Sequence, residues 1–154
     1  MMPPTIEETK SLVQKLFEGV SDKAGKPYHH HCFRVMMRLG SEYGEDEQHA
    51  ALLHDVIEDT STTADDLRRM GYSERTVWLV EMLSRPPKSQ DRPSYQDWIK
   101  SIAATGDAGL ISIKLADNAD NSDPTRIAAL PDSEKGILRR YNKARQILLD
   151  GLRR

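Results

Sequence analysis

Between its prolines and glycines the chain places apolar residues three and four positions apart, and almost nowhere does it alternate apolar with polar, so helices are predicted throughout. Thr5 and Glu8 form a T-x-x-E capping box after Pro3 and Pro4, opening a helix that Gly19 can close. A second helix is predicted from Tyr28 to Tyr43, stopping at Gly44, and a third from Glu45 to Asp59. Thr62 and Thr63 are alternative caps for a short helix ending at Gly71, Ser73 caps the next, and Ser94 starts another. Residues 107–121 resume the helical pattern through Leu110, Ile111, Ile113 and Leu115, after which Pro124 and Pro131 are expected to break the chain. From Asp132 onward Ile137, Leu138, Tyr141, Ala144, Ile147 and Leu148 mark one face of a last amphipathic helix, expected to close the core. The pattern predicts an all-α fold in one domain.

The third helix carries an anomaly. In ALLHDVIEDT, residues 51–60, an imidazole and three carboxylates accompany a core-forming run. At about 100° per residue, with His54 as zero, Glu58 falls near about 40°, Asp55 near about 100° and Asp59 near about 140°. Leu52, Leu53, Val56 and Ile57 fill the opposite side, so a continuous helix would be split lengthwise into a core face and a polar face. Clustered carboxylates are costly to bury unless water or a cation compensates them. A solvated acidic face and a metal or proton-transfer site both fit this stretch alone, so further ligands decide.

Two other segments supply candidates. In PYHHHCFRV, residues 27–35, His31 shares an inward side with Val35 and Leu39, while His29 and His30 are adjacent competitors. In ISIKLADNADNSDP, residues 111–124, Lys114, Asp117 and Asn121 line one side at i, i+3 and i+7, with Asp120 close to it. A carboxylate such as Asp117 near a helix C-terminus opposes the macrodipole unless a cation offsets it. The irregular stretch RPPKSQDRPS, residues 85–94, carries Arg85, Lys88 and Arg92 and reads either as a mobile basic loop or as a solvated linker.

Composition narrows the classes. Twenty-two Lys and Arg against 24 Asp and Glu give a net charge of −2, so no global field recruits a nucleic-acid duplex or an anionic membrane. The lone Cys32 excludes an internal disulfide. The N-terminus has no signal-peptide pattern and no apolar run nears the ~20 residues of a membrane span, so a cytoplasmic protein is expected.

The three segments together resemble the HD-domain metal-dependent phosphohydrolases, and within them the hydrolase domains of RelA/SpoT-type enzymes and the small alarmone (ppGpp) hydrolases. GKPYHHH resembles the family's G-x-P-Y-x-x-H, ALLHDVIEDTSTT its ALLHD-x-x-ED-T-x-x-T, and IKLADNADN its KLAD-x-x-x-N, in the family's order over about residues 23–126. The resemblance implies a single compact HD-domain helical fold of about seven or eight helices spanning residues 1–154, acting as a stand-alone hydrolase. It makes His31, His54, Asp55 and Asp117 ligands of one Mn²⁺ ion, with other divalent metals as substitutes, and makes Glu58 and Asp59 the catalytic acidic pair. Asn121 would contact a nucleotide, with Lys23, Lys26 and Lys114 as substrate-binding candidates and Arg38, Lys88 and Arg92 as further cations for a diphosphate.

Because no histidine follows residue 54, the resemblance is to the one-metal branch, which contains alarmone hydrolases and 5′-nucleotidases. The chain departs from the family where Asp22 and Lys23 replace an Arg-Lys pair, Asn118 replaces Arg and Asp120 replaces His. The expected activity is 3′-pyrophosphohydrolysis of guanosine-3′,5′-bis(diphosphate). The alternatives are a housekeeping nucleotidase or nucleotide pyrophosphohydrolase, and a catalytically silent nucleotide-sensing module. The expected partner is a nucleotide, with homo-oligomer formation left open.

Overall fold

Short polar side chains start most of the helices. In the computed structural model, which describes residues 2–153, the order is α1 (Ile6–Leu16), α2 (Tyr28–Leu39), α3 (Glu45–Leu53), α4 (Val56–Asp59), α5 (Ala64–Arg69), α6 (Glu74–Met82), α7 (Tyr95–Ala104), α8 (Ala108–Asn121), α9 (Pro124–Ala128) and α10 (Ile137–Leu152), with a 3₁₀ turn at Asp132–Glu134. Thr5 with Glu8, and Thr63 with Asp66, close reciprocal capping boxes, which settles the cap of α5 on Thr63 rather than Thr62. Ser73, Ser94 and Asp107 each accept a backbone N–H of the first turn they precede. Among the described residues there is no strand, only an isolated bridge between Ser21 and Pro27, and no helix is long and apolar enough to cross a membrane.

Three expectations are corrected. Helix α2 ends at Leu39, not Tyr43, because Gly40 takes φ +85°, a left-handed conformation that side chains resist. The helix predicted over residues 45–59 is two helices. His54 donates its Nδ1–H to the Ala51 carbonyl at 2.7 Å, the acceptor that an uninterrupted helix would offer the Asp55 N–H, and Asp55 leaves helical geometry at φ −101°, ψ 0°. Pro124 does not break the chain but occupies the first turn of α9, where its missing N–H costs nothing and Asp123 caps the helix. The split at His54 and the short α9 account for the two helices beyond the expected seven or eight.

Helix α2 packs on α3 and α8, α3 on α1 and α6, and α10 on α7 and α8. The core they enclose includes Leu52, Leu53, Val56, Ile99, Ile102, Leu110, Ile111, Ile113 and Leu148, all fully buried. Each such leucine or isoleucine contributes about 1.5–3 kcal/mol through burial. Gly151 allows α10 to lie close on α7, since a Cβ there would come within 3.0 Å of Ala103. As the apolar stripe predicts, α10 buries Ala144 and Leu148, and it roofs the region where α2, the α3–α4 break and α8 meet.

Candidate metal centre and cleft

Three distant segments meet there. Helix α2 brings His31, the α3–α4 break brings His54 and Asp55, and α8 brings Asp117. His31 Nε2 lies 3.0 Å from Asp117 Oδ1 and 3.8 Å from Asp55 Oδ2. His54 Nε2 lies 2.9 Å from Asp55 Oδ2 and 3.3 Å from Asp117 Oδ1. Donors bound to one octahedral ion at about 2.1 Å sit about 3 Å from their neighbours, so these separations fit a shared cation. His29 and His30 are not part of the cluster; their rings pack on each other, and His29 on Phe33.

Proton placement makes the same point. His54 Nδ1–H is committed to the Ala51 carbonyl, so His54 Nε2 presents a lone pair. His31 Nδ1 lies 2.7 Å from Asp120 Oδ2, a carboxylate that Arg34, Arg38 and Arg126 also grip, so Nδ1 donates there, while Nε2 lies within hydrogen-bond distance of Asp117 Oδ1. Arg126 is also 3.0 Å from His31 Nδ1, but two donors face each other there, and its bonds are those to Asp120 and to the Asn121 side-chain Oδ1. Both imidazole Nε2 atoms therefore face carboxylate oxygens across a buried centre. His54 Nε2 is buried without a hydrogen-bond partner despite its closeness to Asp55, because the alignment is wrong. His31, His54 and Asp55 offer donor atoms close enough together to hold a metal ion, Asp117 lies beside them, and the mixed nitrogen and oxygen donors suit a divalent metal.

The surrounding groups hold the ligands in place. Tyr28 donates its hydroxyl to Asp55, and burial together with the Asp55 charge keeps that phenol protonated. Lys114 donates to Asp117 Oδ2 at 2.8 Å and Asn121 Nδ2 to Asp117 Oδ1 at 3.1 Å. Burial alone would raise the proton affinity of Asp117, but the charges of Lys114 and His54 hold it well below the usual carboxylate range. Burial likewise opposes a charged His54, and the charges of Asp55 and Asp117 override it and raise its proton affinity. For His31, burial is overcome by hydrogen bonds to Asp117 and Asp120. The two carboxylates thus draw positive charge into the buried centre.

A cleft of about 210 Å³ opens beside the cluster, lined by Asp55, Glu58, Asp59, Asp117, Lys114 and Asn121 among others. Glu58 Oε1 accepts the backbone N–H of Arg85 at 2.7 Å, tying the basic loop to α4. Burial and the field of Asp55 raise the proton affinity of Glu58, against the lowering effect of the Arg85 N–H. Burial and the charges of Asp55 and Glu58 push Asp59 up to about 6. Both carboxyls therefore hold a proton more readily than free carboxylates do, which suits proton transfer.

The cations proposed from sequence divide. Arg92 lines the cleft, joined by Arg85 and Arg140. Lys114 also lines it, but its charge is committed to Asp117 and it lies 4.6 Å from the Trp98 ring centre. Lys23 lines a neighbouring pocket of about 290 Å³ with Tyr28, Asn121 and Tyr141, and pairs with Glu134 at 3.2 Å. Lys26 is exposed and lines neither, and Arg38 is turned away onto Asp120 and Asp123, behind His31. Sequence reasoning gave no role to Tyr28, Arg34, Arg126 or Arg140. The tyrosine stands inside the quoted G-x-P-Y motif and was the recoverable signal among them.

No family model matches the chain. A guanosine-3′,5′-bis(diphosphate) 3′-pyrophosphohydrolase of Aquifex aeolicus is 36% identical over 105 residues, covering 64% of this chain and 14% of that protein. The bifunctional (p)ppGpp synthase/hydrolase SpoT of Escherichia coli K12 is 33% identical over 132 residues, covering 79% of this chain and 18% of that protein. The chain thus spans less than a fifth of the length of these relatives. A solved structure, described as a metazoan ortholog of SpoT that hydrolyzes ppGpp, superposes with a TM-score of 0.77 at 23% identity, over 99% of this chain and 89% of its own, which shows the fold.

Proposed function

Since this chain belongs to the HD-domain hydrolases of the RelA/SpoT type, we propose that it is a metal-dependent phosphohydrolase that removes the 3′-diphosphate of guanosine-3′,5′-bis(diphosphate) as pyrophosphate. The observation that carries this reading is the pair of imidazole Nε2 atoms turned onto Asp55 and Asp117, with His54 Nε2 buried and unpartnered. His31, His54, Asp55 and Asp117 would hold one divalent ion, and their donor set favours Mn²⁺. Such an ion, when bound, supplies Lewis acidity toward a phosphoryl oxygen and acidifies water.

The chain's own side chains supply the proton transfers. Glu58 takes a proton from the attacking water, its raised proton affinity suiting it to accept one. Water adds to the phosphorus attached to the 3′ oxygen, that P–O bond breaks, and the ribose oxygen leaves. Asp59, with a pKa near the working pH, returns a proton to the leaving oxygen. Arg85, Arg92 and Arg140 offset phosphate charge in the cleft. Tyr28 and Lys114 do not touch substrate in this scheme; they hold Asp55 and Asp117 ionised and oriented. A nucleotide substrate of this kind puts the protein in the cytoplasm.

Incubating the Mn²⁺-loaded protein with ppGpp and a panel of nucleotides, and separating products by anion exchange, tests the reading. Release of pyrophosphate from ppGpp is expected. Turnover of nucleoside monophosphates with ppGpp untouched would reassign the protein as a nucleotidase, and binding without turnover would make it a sensing module.

A further inference from the structure

Between the N-terminal end of α7 and the outer face of α10 runs a second groove, of about 610 Å³, that shares Arg85, Arg92, Tyr95 and Arg140 with the catalytic cleft and adds Arg139 and Lys143. Five cations line it and no carboxylate does, in a chain whose net charge is −2. None of the five forms an ion pair among the described residues, whereas Arg34, Arg38, Arg68, Arg75 and Arg126 elsewhere all do.

Two of these cations crowd one aromatic ring. Arg140 lies 3.7 Å from the centre of the Tyr95 ring, with Arg85 at 5.7 Å and Lys114 at 5.8 Å from the same centre. An aromatic face eases such crowding but does not neutralise it. The Arg85 guanidinium is further marked by Nε, which is buried with no partner. Burial and the neighbouring charges of Arg92 and Arg140 lower its proton affinity, against the raising effect of Glu58.

We propose that this groove is a second phosphate subsite, in which Arg139, Arg140 and Lys143 bind the 5′-phosphate chain of the substrate while the 3′-diphosphate sits at the metal cluster. The assignment rests on the nucleotide phosphohydrolase reading and sharpens it, because it makes the second phosphate chain, and not only the scissile one, a determinant of substrate choice. Arginine and lysine recognise phosphate through short charge-assisted hydrogen bonds, and continuity with the cleft lets one ligand span both places.

The test compares guanosine 3′-diphosphate carrying either a 5′-diphosphate or a free 5′-hydroxyl, using the Mn²⁺-loaded full chain and its Arg139→Ala/Lys143→Ala variant. These side chains are exposed, so the variant should fold, as a thermal melt would verify. Wild type should favour the 5′-phosphorylated compound by about tenfold or more in kcat/KM, and the variant's preference should fall toward one through KM. An equal preference in both proteins overturns the subsite. Titration of inorganic triphosphate into metal-free protein separates the two readings. If no nucleotide is turned over, the hydrolase reading fails, while triphosphate binding that weakens in the variant still supports the groove and binding equal in both proteins overturns it.

Discussion

His49 and His54 sit five positions apart in the α3 segment, both buried, and their surroundings push them in opposite directions. Around His49 are hydroxyls. Its Nδ1 lies 2.8 Å from Thr9 Oγ1, which is 2.6 Å from the Tyr72 hydroxyl, and burial lowers its proton affinity. Around His54 are carboxylates, one ring nitrogen has no partner, and its proton affinity is raised. The first imidazole is a satisfied member of the core that ties α1 to α3. The second is left incomplete by its own chain, and incompleteness in a buried polar group is what a ligand site looks like.

Breaking the incomplete side should have the largest effect. His54→Ala is expected to remove the bound metal and bring turnover below detection, read by elemental analysis and pyrophosphate release. Glu58→Gln should lower turnover by about 10²–10⁴-fold while metal content stays at one ion per chain, which separates proton transfer from metal binding. Asp120→Asn keeps the shape but weakens the grip on His31 Nδ1–H, so metal affinity should fall about 10–100-fold in a chelator competition. On the satisfied side, Thr9→Val leaves His49 and Tyr72 without their shared hydroxyl, and should cost about 1–3 kcal/mol in denaturant unfolding with no change in metal content.

The two histidine environments also predict opposite pH limbs. His49 has a folded pKa below the unfolded value of about 6.5, so its contribution is present above that pH and is lost as pH falls toward the folded value. His31 and His54 have raised folded pKa values, so in metal-free protein their contribution is complete below about 6.5 and is lost as pH rises through the folded values. Bound metal replaces those protons, so its stabilising effect should grow with pH. Thermal melts from about pH 5 to about pH 9, with chelator and with Mn²⁺, check both limbs, and His49→Gln should flatten only the acid one.

Local signals were legible in the sequence wherever one residue type forces one geometry. The capping box at Thr5 and the starts at Ser73 and Ser94 appear where read, as does the buried face of α10, and of the two caps offered for α5 the structure uses Thr63. The α3–α4 break was not legible, because it follows from a side-chain bond, His54 to the Ala51 carbonyl, that the 3.6-residue period does not encode. That break matters for the site. On a continuous helix His54 and Asp55 would point about 100° apart, whereas the turn brings both onto one centre. Arg140 was hidden for another reason: it comes from α10, distant in sequence from every motif, and only packing brings it near, whereas Arg126 lies just past the α8 motif, where nothing in the pattern singles it out.

The most direct measurement is an anomalous difference map from a crystal grown with Mn²⁺. One peak per chain is predicted, about 2.0–2.3 Å from His31 Nε2, His54 Nε2 and an oxygen of each of Asp55 and Asp117. A map with no peak there, or with one on Glu58 and Asp59 alone, would contradict the shared centre.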